Sequence, residues 1–294
     1  MKPSRTFNLF LTIGLFLLEA LAGGAMAKAV DLDKSQHHLF NPTPRALMRE
    51  MSTDRPDKTE SPYTVDAGHF QIEMDVFNYA YDRYNPEHQD IRVESLSIAP
   101  MNLKAGLCNS VDLQLVVESH TSVRIDNRVA PRKERHQGFG DVTPRLKVNL
   151  WGNDGGSTAF AVMPYVKLPT NQDGIGNNSV EGGVILPLAV ALPHGVGMGL
   201  MTQFDFVRDE SEGGHHPEFV NTITFSRDLV GDLGGYVEFF SLVSSESSSP
   251  WVGTFDMGLT YGLTEDIQLD AGINVGVTRS AEDLNPFLGI SWRF

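Results

Sequence analysis

Three places in the 294-residue sequence bring together residue types that could act on a bond or hold an ion. Ser119, His120 and Ser122 gather at the end of an apolar stretch, where a hydroxyl and an imidazole could serve as nucleophile and base. No nucleophile motif of the G-x-S-x-G kind surrounds them, so they read as ordinary strand-end residues. His215 and His216 follow the acidic Asp209, Glu210 and Glu212, a grouping that reads as loop surface with at most casual metal contacts. The oxygen-rich run Thr170 to Asn178 looks like a calcium loop but lacks EF-hand spacing, so it reads as a solvated Gly/Asn turn. His37, His38 and His194 are read as surface residues too. No catalytic residue, cofactor site or metal site is assigned.

A larger set of charges recurs at every second position between apolar neighbours. It comprises Glu73, Asp75, Lys104, Asp112, Arg145, Lys147, Lys167, Asp205, Glu238, Asp256, Asp270 and Arg293, with Glu118 and Asp141 beside them. Side chains alternate across a strand, so these charges share one face and the apolar residues take the other. A charged face turned inward could be a permeation pathway, or opposite charges could pair across a filled interior. Both readings stand.

The elements that must carry this pattern are amphipathic strands, about twelve from His69 onward, each near the length a tilted strand needs to cross a bilayer. In Ile267 to Val277, for example, Ile267, Leu269, Ala271, Ile273, Val275 and Val277 face Gln268, Asp270, Gly272, Asn274 and Gly276. The stretch Leu96 to Leu107 reads as one strand. The same alternation puts Trp151 on the inner face, next to a turn. Longer polar connections (Ala80 to Asp90, Thr121 to Gly140, Pro169 to Ser179, Asp209 to His216, Ser244 to Ser249, Arg279 to Leu284) alternate with tight ones (Cys108 to Ser110, Gly152 to Ser157, Pro193 to Gly195, Leu229 to Asp232, Leu263 to Glu265). That asymmetry, with both chain ends on the short-turn side, predicts a transmembrane antiparallel up-and-down β-barrel rather than a soluble sandwich. Trp251, Phe206 and Phe219 towards the loops, and Trp292, Phe294, Tyr261 and Phe160 towards the turns, suit two interfacial girdles.

Composition agrees. A net charge of -14 excludes the basic footprint of a nucleic-acid partner. A mean hydropathy of -0.17 is too polar for membrane helices, yet a barrel tolerates it because alternate residues meet lipid. The single Cys108 allows no intramolecular disulfide. Lys2 and Arg5, the apolar run Leu9 to Leu21 and Ala25-Met26-Ala27 predict a signal peptide over residues 1–27 and export to the outer membrane of a bacterium. Residues 28–67, broken by Pro42, Pro44, Pro56 and Pro62, are expected to form a periplasmic extension or plug with one helical turn around Arg45 to Met51, ahead of a barrel over residues 68–294.

The string TDRPDKTESPYTVDAGHFQIE, Thr53 to Glu73, resembles the signature that opens members of the phenol-degradation MetA-pathway transporter family of outer-membrane barrels. The closing strand NPFLGISWRF, ending on Phe294, resembles the carboxyl-terminal signal by which such barrels are read by the assembly machinery. The resemblance implies a channel for small, aromatic or hydrophobic, molecules. The solute itself is unidentified; Tyr165, Tyr236 and Phe240 are candidates to stack on an aromatic one. The expected surroundings are outer-membrane lipid and lipopolysaccharide. The alternative is a non-conducting structural or adhesive barrel, and an enzyme is the third option.

Overall fold

A computed structural model describes residues 33–83, 91–127, 132–176, 178–209, 213–246 and 249–294. The predicted signal peptide lies outside these, as do Glu210, Glu212 and Asn177 of the two candidate loops. Fifteen strands form among the described residues: β1 (Phe70–Asp82), β2 (Arg92–Ile98), β3 (Met101–Cys108), β4 (Val111–Val117), β5 (His120–Asn127), β6 (Arg132–Gly138), β7 (Val142–Trp151), β8 (Thr158–Lys167), β9 (Glu181–Leu192), β10 (Val196–Arg208), β11 (His215–Val230), β12 (Leu233–Ser244), β13 (Val252–Thr264), β14 (Ile267–Gly276) and β15 (Leu284–Arg293). Setting aside β2, β5 and β6 leaves a closed antiparallel ring of twelve, sealed where β15 pairs with β1. At the seam Gln71 stands opposite Arg293, and Phe70 and Phe294 exchange backbone hydrogen bonds of 3.0 and 2.9 Å. Closure leaves the ring of twelve without an edge, as a chain crossing lipid requires.

The remaining strands correct two sequence expectations. Leu96 to Leu107 is not one strand: Ala99, at φ 55, and Pro100 break it into β2 and β3. The lower part of β1 pairs with β3 and the upper part with β2. Thr121 to Gly140 is not a loop either, since β5 and β6 pair across most of it and β2 joins β5. The two faces of this extension carry charge on both sides (Arg124 and Asp126, Glu134 and His136), which hides a period-two apolar signal.

The ring is apolar outside and polar inside. Phe70, Leu113, Leu115, Leu146, Phe239, Phe255, Leu259 and Leu288 are exposed, whereas Gln71, Glu73, Asp112, Gln114, Lys147, Glu238, Asp256 and Asp270 are buried. A continuous exposed apolar belt of this size has a surrounding other than water. Aromatic pairs mark both rims. Phe70 stacks on Phe294 (5.9 Å between centroids) and Trp151 on Phe160 (4.9 Å) at the short-turn end, while Phe204–Phe219 and Phe239–Trp251 pair at the other. Trp151 is thus on the outer face, contrary to the expectation from alternation. A register shift between Asn149 and Trp151 inserts one residue and turns the indole outward.

Candidate functional site

Residues 34–67 are bound to the inner wall, entering and leaving at the short-turn end. On the way in, Leu39 donates its backbone N–H to Leu107 (2.9 Å), Arg49 binds Asn109 (2.8 Å), and Arg293 donates to the Arg49 carbonyl (2.8 Å). On the way out, Thr64 donates to Asn153 (3.1 Å), Val65 to Asp112 (3.0 Å) and Thr43 to the Ala67 carbonyl (2.9 Å). The expected helical turn is a single 3-10 turn, Arg45–Leu47. Pro42, Pro44, Pro56 and Pro62 keep the rest irregular. Irregular backbone inside a barrel requires partners from the wall, and the wall supplies them.

The Thr53 to Glu73 string turns out to begin with the part that occupies the barrel's interior. Its charges alternate in sign, and most meet their opposites. Asp54 lies 2.5 Å from Lys104 and 2.6 Å from Lys147. Arg55 spans Asp75 (2.6 Å) and Asp270 (2.7 Å). Lys58 reaches Asp256 (3.1 Å), and its backbone N–H donates to Glu238 (2.8 Å). Thr59 hydrogen-bonds Glu238 and Thr222, and Glu60 holds Arg145 at 2.5 Å. The basic wall residues Lys104, Lys147 and Arg145 belong to β3 and β7; the acidic Glu238, Asp256 and Asp270 belong to β12, β13 and β14. The basic residues that the segment meets thus share one arc of the ring with Glu73 and Asp112, while Glu238, Asp256 and Asp270 line a second, acidic arc, and the inserted segment spans the two.

Burial of these pairs costs solvation that only their partners return. Within the segment, burial raises Asp54, but Lys104 and Lys147 outweigh it and hold the carboxyl well below the usual range. Glu60 goes the other way: burial, then the nearby Asp54, push it up to about 6 against the pull of Arg145. Burial beside Glu238 also raises Asp57. Separation of a buried charge from its partner is expensive, so the segment is held as a unit.

Of the residues expected on the inner face, Lys167 and Asp205 do not touch the segment. Lys167 lies 3.6 Å from Asp141 and 3.5 Å from Glu181, and Asp205 accepts hydrogen bonds from Tyr165 and Gln203. Glu73 and Asp112 do meet it, by accepting backbone N–H groups of Asp54 (3.0 Å) and Val65. Near the segment's tip an apolar cluster, Met163, Ile185, Met201 and Val220, packs with Tyr165, Phe240 and Leu242; Glu60 donates its N–H to the Met201 sulfur (3.4 Å). Cavities of about 740 and about 430 Å³ flank residues 48–57 at the short-turn end, the second lined by Arg55, Tyr236 and Gln268.

Sequence reasoning named the wall and missed its partners, Asp54, Arg55, Lys58 and Glu60. The signal available was the alternation of sign in a short proline-bounded segment, matched to charges already assigned inward. The Ser119 hydroxyl donates to the carbonyls of Ile98 and Ala99, which fastens the β2–β3 break, and the His120 side chain has no hydrogen bond among the described residues. No nucleophile–base pair forms there. In the Gly/Asn-rich loop, Asp173 accepts the Gln137 N–H (3.1 Å) and Asn171 binds Asp141 (2.8 Å).

A family described as "Putative MetA-pathway of phenol degradation" matches residues 53–294. An outer membrane channel from Pseudomonas putida F1 shares the fold, with a TM-score of 0.59 at 12% identity over 83% of this chain and 100% of that one. The NanC porin aligns with a TM-score of 0.48 at 11% identity over 76% of this chain and 98% of that one. No curated protein matches the sequence.

Proposed function

Because the chain belongs to the MetA-pathway phenol-degradation family, matched over residues 53–294, we propose that it is an outer-membrane channel whose own amino-terminal segment occupies the pore. The observation that carries the reading is the charge-for-charge fit of Asp54, Arg55, Lys58 and Glu60 to Lys104 and Lys147, Asp75 and Asp270, Asp256, and Arg145. A permanently filled interior needs only apolar packing, which is often more stabilising than buried ion pairs. Buried ion pairs, by contrast, are costly to part while the segment is docked but lose much of that cost once water fills the interior, which suits a segment that is held as a unit and leaves as one. Departure would bare a pathway with one arc of mixed charge and one acidic arc, a lining that sets solute preference. Small aromatic solutes carrying a polar substituent fit this wall best, since the apolar cluster around Met201, Tyr165 and Phe240 adjoins the charged arcs. The long connections would then face outward and the segment the periplasm. The exposed Phe294 at the barrel seam is suited to contact with the assembly machinery, and the apolar belt to outer-membrane lipid beside lipopolysaccharide.

The pairing of most inner charges favours a second reading, a non-conducting structural barrel. Liposome swelling separates them. Vesicles holding the chain without residues 33–67 are expected to admit a hydroxybenzoate faster than a sugar of similar size. Equal impermeability to both, with the barrel folded, would support the structural reading.

A further inference from the structure

Most wall charges around the inserted segment meet an opposite charge or a hydrogen-bond donor of that segment, whereas one cluster at the opposite rim carries an excess of carboxylates. We propose that Asp209, His216 and Glu246 form a binding site for a divalent transition metal of the zinc class. Asp209 follows the last residue of β10, His216 is the second residue of β11, and Glu246 lies just past the end of β12. Three strand ends thus converge, and ligand atoms of these three side chains lie within 4.8 Å of one another. The imidazole Nδ1 is 2.6 Å from Asp209, and Nε2 is 3.3 Å from Glu218. Among the described residues no lysine or arginine pairs with Asp209, Glu218 or Glu246, so a single imidazole faces three carboxylates. A divalent ion would supply the missing positive charge. Zinc-type ions accept mixed imidazole and carboxylate ligands at about 2.0 to 2.2 Å, which side-chain rotation within this cluster allows. Calcium, which prefers six to eight oxygens, gains little from the imidazole. Glu218 would then be free to orient the ring through its other nitrogen, the usual arrangement around a metal-bound histidine. Backbone hydrogen bonds from Asp209 to Gly214 and from Ser245 to Pro217, both 3.0 Å, hold the donors at the rim without using their side chains.

The test is calorimetric titration of the full detergent-folded chain with zinc chloride at neutral pH, its folded state checked by mobility on unheated gels. One site per chain is expected, weakened at least about tenfold by His216→Asn and by Glu246→Gln, with His215→Asn unchanged. Copper(II) added to the wild-type chain should give an electron paramagnetic resonance spectrum with coupling to imidazole nitrogen, which keeps the proposal testable if a variant fails to fold. Equal zinc binding by wild type and His216→Asn, displacement of zinc by equimolar calcium, or a copper spectrum without nitrogen coupling would overturn it.

Discussion

Lys147, fully buried on the inner wall of β7, holds its ammonium 2.6 Å from Asp54, a residue that belongs to no strand. Lys104 of β3 reaches the other oxygen of the same carboxylate at 2.5 Å. One side chain of the inserted segment thus answers two buried cations, which makes it the contact whose loss should release the segment most readily.

Asp54→Asn keeps the shape and removes the charge. Unpairing a buried ion costs about 3 to 5 kcal/mol while the segment stays in place, and much less once the interior is hydrated. The docked population should therefore fall at least about a hundredfold, read in planar bilayers as the fraction of time spent conducting.

Glu60 and Arg145 form an ion pair at 2.5 Å in which, among the described residues, neither partner has a second opposite charge within bridge distance. Glu60→Lys and Arg145→Glu should each raise conductance, and the double variant should return it towards the wild-type level. Additive opening in the double variant would mean that the two side chains act independently.

Gly289 of β15 stands directly against Arg55, where a β-carbon would overlap the guanidinium. Its backbone accepts alanine, since Gly289 is not among the positive-φ residues. Gly289→Ala should therefore leave the barrel folded while loosening the segment. Faster tryptic cleavage after Lys58 in the variant, with unchanged gel mobility of the barrel, is the expected result.

The docked segment holds a proton on Glu60 up to about pH 6, against an ordinary value of 4.5. A group whose pKa is raised on docking contributes stability that is complete below its free value and lost as pH rises through the docked one. Conductance should accordingly increase between pH 4.5 and just above 6. Glu60→Gln should reduce that rise and leave the part contributed by Asp57, whose carboxyl is also raised by burial beside Glu238.

Most of the ring was legible because period-two alternation survives wherever one face meets lipid and the other an interior. Asp112 and Lys147 are buried opposite exposed Leu113 and Leu146, as alternation demands. The same rule failed at Trp151, where one inserted residue reverses the faces, and at β5 and β6, which carry charge on both sides. The inserted segment was harder still. Prolines erase any periodicity there, and the fit of Arg55 to Asp270, 215 positions later, depends on contacts that only the closed ring creates. At the rim, Asp209 and His216 are neighbours already in the sequence, where they read as loop surface, but Glu246 joins them only through the pairing of β11 with β12.

Planar-bilayer recording of the full chain beside one lacking residues 33–67 asks whether the inserted segment occludes a pore. Rare, brief openings are expected in the first and steady discrete channels in the second. Silence from both, with each barrel folded and resistant to unfolding in detergent, would rule occlusion out.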